Sequence, residues 1–156
     1  MFGSKVSIAQ GVRGKLLNNI GELEAILLKN NGKGLLRQSL RLDLVRDAFA
    51  HKRTIYFVYD FPLALLSRRR QGWTEDKVLA MANSLLAPFG IEVKDMGHFN
   101  KHTISVEILD QIKEHFPPII VSSLPDKIFH VEDGNHRAAL AEFFLRMDNI
   151  PAIVIV

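Results

Sequence analysis

The sequence predicts an α+β fold: a small mixed β-sheet with a helix packed on it and an N-terminal helical extension. Three observations point there. First, the apolar run Ile128–Val131 is followed by an Asp133-Gly134 turn, and Leu140, Phe143, Phe144 and Met147 then fall at i, i+3, i+4 and i+7. A strand therefore feeds a tight turn and a helix with one expected buried stripe. Second, Ile153–Val156 is continuously apolar, the pattern of an interior strand covered on both faces. Third, amphipathic helical spacing recurs through the first 90 residues, where strand-like alternation is sparse. With 156 residues and a 47% apolar share, the chain can build one real core, as one domain or as a domain with an annex.

In chain order, Lys15–Lys29 reads as a helix with Leu16, Ile20, Leu23 and Leu27 inward. Residues 30–34 are a Gly/Asn-rich loop. Leu35–Ala50 reads as a second helix, with Leu36, Leu40, Leu44 and Ala48 stacked at i+4 and Lys33, Arg37 and Arg41 on another face. Thr54–Tyr59 is β-branched and aromatic, hence a strand. Pro62 opens a short helix, Leu63–Arg69, that runs into Arg68, Arg69 and Arg70, with Trp73 just beyond. Thr74 is a good N-cap, Glu75 and Asp76 suit a first turn, and Val78, Met81, Ala82 and Leu85 mark a helix stopped by Pro88 and Gly90. Ile91–Val93 reads as a short strand and residues 95–103 as a polar loop. Thr103–Phe116 is a helix ended by Pro117 and Pro118. Ile119–Ser122 and Ile128–Val131 form a hairpin over residues 123–127. The expected division is a mainly helical, basic region at 1–90, packed on the sheet, and a sheet-bearing domain at 91–156.

Charge follows the same division. Residues 1–90 carry 14 Lys/Arg against 7 Asp/Glu, and residues 91–156 carry 6 against 10, for a net +3. A basic front suggests a polyanion surface; a solvated face is the plainer reading. Lys33, Arg37, Arg41, Arg68, Arg69 and Arg70 are the candidate nucleic-acid contacts, the last three beside an aromatic. The absence of cysteine excludes disulfides, cysteine-ligated zinc and thiol catalysis. No apolar run reaches 18 residues and the start lacks an apolar signal-peptide core, so a cytoplasmic location with no membrane contact is expected.

The chemistry concentrates in Val131-Glu-Asp-Gly-Asn-His-Arg-Ala-Ala-Leu140. His136 and Arg137 sit in the first turn of the expected helix, where a cation opposes the dipole at a cost of roughly 0.3–1 kcal/mol. An anion gripped by the free N–H groups with His136 and Arg137 would reverse that sign. The competing reading is an ordinary Asp-Gly turn capped by Asn135, with Arg137 paired to Asp133 or Glu132.

This stretch, together with Ile119–Ser122 before it and Ile150-Pro-Ala-Ile-Val-Ile-Val156 after it, resembles the ParB/sulfiredoxin superfamily over about residues 91–156. The resemblance implies nucleotide phosphate binding at the turn. Sulfiredoxins place their catalytic cysteine where Asn135 stands, which excludes that activity here. The Asn-x-x-Arg helix of the partition proteins has no counterpart in Ser105–Phe116.

The expected function is a nucleotide-binding phosphohydrolase, an ATPase or other NTPase, that also acts as a DNase in plasmid maintenance or transfer. ATP or another NTP, with Mg2+ as a candidate companion, would lie at Gly134, Asn135, His136 and Arg137, with Lys101 and His102 contributed by the polar loop. His136 and Arg137 would stabilise phosphoryl charge. Asp133, with Glu132 and Asp95 in reserve, would orient water. His98 and His102 lack a carboxylate-bearing metal motif, so no protein metal site is expected. The alternatives are a non-enzymatic module binding DNA or a protein partner, and a small-molecule kinase.

Overall fold

The structure, a computed structural model, describes residues 5–30, 40–67, 73–97, 104–123 and 128–156. Its centre is a six-stranded mixed sheet in the order β1-β2-β3-β6-β4-β5. The strands are β1 (Lys5–Ser7), β2 (Arg13–Leu17), β3 (Ile55–Pro62), β4 (Ile119–Ser123), β5 (Phe129–Asp133) and β6 (Asn149–Ile155). β4 and β6 run parallel; the other neighbours are antiparallel. The helices are α1 (Ile20–Asn30), α2 (Leu42–Ala50), α3 (Glu75–Leu86), α4 (Val106–Glu114) and α5 (Asn135–Ala139). The expected α+β class with a mixed sheet is what the chain adopts.

The sheet is covered on both faces, as strand alternation requires. Ile119 and Val121 of β4 and Ala152 and Val154 of β6 join a core shared with α3, α4 and α5. Their neighbours Ile120, Ile153 and Ile155 face a second core with α1 and α2. β6 is thus an interior strand, as its continuous apolar run implies. β3, from the basic front half, pairs with β6 over Ile55↔Ile155 to Pro62↔Asn149. The front half is therefore part of the sheet as well as a helical layer upon it.

Several expected elements differ. The helix expected over Lys15–Lys29 is a strand, β2, followed by α1. Leu17 is buried and Leu16 exposed, the alternation of a strand. Asn19 ends that run by accepting a hydrogen bond from the Glu22 N–H at 3.0 Å. The helix expected from Leu35 begins at Leu42 within the described residues. The helix expected after Pro62 is one 3-10 turn, Leu63–Leu65. Leu66 then bridges Phe129, and the Ser67 N–H donates to the Phe129 carbonyl at 2.8 Å. Ile91–Val93 forms no strand. Instead the Asn83 side chain takes the Val93 N–H at 2.7 Å and donates to its carbonyl at 2.9 Å, satisfying both groups that a neighbouring strand would otherwise have met. α3 begins as expected, with Thr74 capping the Lys77 N–H.

Candidate functional site

The strand–turn–helix at Asp133–Asn135 forms as the sequence indicates. β5 ends at Asp133, Gly134 takes φ +105°, and α5 begins at Asn135. That backbone conformation suits glycine alone. The space does too: a Cβ on Gly134 would lie 2.6 Å from Ile119 Cγ2 and 2.9 Å from Arg137 Nη2.

The second contact shows where Arg137 goes. Its side chain folds back under the turn and is 1% exposed. Nη2 donates to Asp133 Oδ2 at 3.1 Å. Burial pushes the guanidinium pKa down, and the Asp133 charge and hydrogen bond push it back up. Nε is buried without a hydrogen-bond partner. The competing sequence reading, Arg137 paired with Asp133, is thus the observed geometry. Arg137 supports the turn from beneath and does not project from it.

The same Asp133 Oδ2 accepts the Arg41 backbone N–H at 2.9 Å. This bond joins the entry of α2 to the end of β5 across 92 residues of sequence. The Arg41 side chain is exposed and paired with Asp43 at 2.7 Å. Of the expected nucleic-acid contacts, Arg41 thereby stands beside the turn. Lys33, Arg37, Arg68, Arg69 and Arg70 lie outside the described residues, as do Lys101, His102 and His98.

His136 stays at the surface end of α5, half-buried. Its Nε2 is buried without a hydrogen-bond partner. Its pKa is lowered, first by burial, then by the charges of Lys77 and Arg137. Lys77 is the residue that sequence reading missed. It comes from the first turn of α3 and lies close enough for its charge to bear on His136. A signal was present: Lys77 is a cation in a capped first turn, the same disfavoured placement that singles out His136.

Glu132 does not join Asp133 at the turn. It accepts a 2.5 Å hydrogen bond from the buried Ser122 Oγ and lines a cavity of about 410 Å³ between α2 and the sheet, with Asp47, His51 and Arg53. Asp95 lies in the segment after α3, next to the buried Met96.

After Ala139 the helix continues as a π turn, Leu140–Phe144, with the Leu145 N–H donating to the Leu140 carbonyl at 2.9 Å. The wider turn shifts the expected stripe. Leu140 is buried, but Phe143 is 47% exposed, where a regular helix would have kept it inward.

No protein-family model, curated protein or solved structure matches the chain. Among the described residues, no helix is long and apolar enough to cross a membrane.

Proposed function

We propose that the chain binds a nucleotide by its phosphates at the start of α5 and hydrolyses it, the activity that its resemblance to the ParB/sulfiredoxin superfamily implies. One observation carries the reading. The charges that bear on His136 are those of Lys77 and Arg137, both cations, while the carboxylate of the turn, Asp133, is held by Arg137. The charge of Lys77 beside the start of a helix favours an anion there, and the first-turn N–H groups, with no acceptor further back in the helix, are donors for it.

In this reading Lys77 and His136 contact the phosphates. Arg137 is a positioning residue that fixes Asp133 and the turn. Asp133, held by two donors on one oxygen, orients the attacking water. A water so placed attacks the terminal phosphorus, the bridging P–O bond breaks, the nucleoside diphosphate leaves, the water's proton passes to the departing phosphate, and charge building on phosphoryl oxygens is met by Lys77 and His136. Among the described residues no group of three His, Asp or Glu side chains forms a metal site. Magnesium would enter with the substrate, as the counter-ion of the nucleotide's phosphates.

A second reading is a non-catalytic nucleotide-responsive module. It is favoured by the Asp133–Arg137 pair itself, which satisfies the turn internally. Phosphate release from ATP separates the two. A hydrolase shows turnover that is lost in Lys77→Ala/His136→Ala; a module binds ATP and releases no phosphate.

A further inference from the structure

Ser122 is a polar residue at the end of an apolar run in an interior strand: Ile119, Ile120 and Val121 precede it, and it is 5% exposed. Its Oγ donates to Glu132 Oε1 on β5 at 2.5 Å. The fold does not require this pair, since two apolar groups of matching shape serve a sheet position about as well. The pair instead lines the cavity of about 410 Å³ between α2 and the sheet. α2 and the residues that follow it contribute Asp47, His51 and Arg53 to the same cavity.

The lining is rich in acceptors. The Ser122 hydroxyl gives its proton to Glu132, so it offers lone pairs to anything else. His51 Nδ1 lies 2.8 Å from the Asp47 carbonyl. A carbonyl only accepts, so Nδ1 carries a proton and Nε2 of the neutral ring keeps a lone pair. The Asp47 and Glu132 carboxylates accept and do not donate. Arg53 is the one cation among the described lining residues, and its Nε donates to the Val156 carbonyl at 3.4 Å. Two carboxylates against one guanidinium leave one net negative charge. Leu44, Ala48 and Ile155 supply the apolar part of the wall. Acceptors with one surplus negative charge, beside an aliphatic wall, match a ligand with one ammonium group on a short hydrocarbon stem. An anion would meet two carboxylates. A metal ion would need several carboxylate or imidazole ligands together, and no such group of three forms among the described residues. The volume suits a small molecule.

We propose that this cavity binds a small aliphatic monoamine, its ammonium among Glu132, Asp47 and the Nε2 of His51, and its stem against Leu44 and Ile155. The cavity lies on the face of the sheet that carries α1 and α2, whereas α5 packs on the other face. The amine site therefore stands or falls independently of the phosphate reading.

The test is calorimetry of n-butylamine, n-butanol and butyrate on the full chain and on Glu132→Gln, with the melting temperature of each protein. Glu132→Gln keeps an acceptor for the Ser122 hydroxyl and removes the charge. Butylamine should bind about fivefold more tightly than butanol, the upper range for a solvent-accessible ion pair, and butyrate should not bind. Glu132→Gln should remove most of that preference while the melting temperature holds. If Glu132→Gln does not fold, Asp47→Asn, at an exposed position of α2, is read in its place. No binding of butylamine, equal binding of butylamine and butanol, binding of butyrate, or a preference kept in the variant would overturn the proposal. Tighter binding of 1,4-diaminobutane would give the cavity to a dication, and tighter binding of Nα-acetyl-lysine amide would give it to a protein side chain. Either result overturns the assignment to a free monoamine.

Discussion

Arg137 reaches back across the Gly134 turn to Asp133, Nη2 to Oδ2 at 3.1 Å, from a position 1% exposed. Helical side chains tilt toward the N-terminus of their helix. A long side chain in the first turn therefore points toward the strand that precedes it. Removing Arg137 leaves the Asp133 carboxylate, 16% exposed and still holding the Arg41 N–H, without its charge partner, at a cost toward the lower end of about 3–5 kcal/mol. Arg137→Ala should lower stability by that order without any ligand, measured by urea denaturation. An unchanged midpoint would show the pair to be incidental.

Gly134 supports the same arrangement by lacking a side chain. At φ +105° a Cβ would meet Ile119 and the Arg137 guanidinium. Gly134→Ala should therefore cost on the order of 1–3 kcal/mol, from backbone strain alone, before the clash with Ile119 is added. The same denaturation series checks it.

The sequence made the turn legible because Asp-Gly between an apolar run and a helical stripe has few other solutions. The direction of Arg137 was not legible, since the sign argument at a helix N-terminus holds equally for a bound anion and for an internal carboxylate. β2 and α1 merged into one expected helix because Leu16, Ile20, Leu23 and Leu27 keep near-helical spacing across the boundary. The cap that divides them was present in Asn19, which takes the Glu22 N–H, and in Glu22, whose carboxylate takes the Asn18 N–H, a relative of the capping box shifted by one residue. The π turn left no mark in the apolar spacing, so Phe143 was read as buried. The bond from the Arg41 N–H to Asp133 depends on tertiary approach and has no local signature.

His136 gives a pH-dependent signal. Its folded pKa lies below the ordinary 6.5, so the unfolded chain takes up the proton first as pH falls. The unfolded state then binds more protons, and stability drops as pH falls from about 6.5 toward the folded value. A bound polyphosphate supplies negative charge and should raise that pKa. NMR titration of the imidazole with and without tripolyphosphate tests this. A pKa that stays where it was on ligand addition would place the anion elsewhere.

Arg41 separates two roles in one residue. Its backbone N–H holds Asp133, while its side chain is exposed beside Asp43. Arg41→Glu should leave the melting temperature unchanged, since any residue but proline supplies that N–H. If the basic front half contacts DNA, the variant should also weaken duplex binding and flatten the log–log salt slope by about 0.9. Equal slopes for the two proteins would remove Arg41 from a DNA surface.

The most direct test of the anion site is calorimetric titration of ATP into the wild-type chain and into Lys77→Ala/His136→Ala, with the ligand-free melting temperature of each. Lys77 is exposed and His136 half-buried, and Arg137 still holds Asp133 in the variant. Matching melting temperatures are expected, with an affinity at least about tenfold weaker in the variant, the loss that follows when charge-assisted contacts are removed. Equal ATP affinity in the two proteins, or no binding by the wild type, would contradict the anion site.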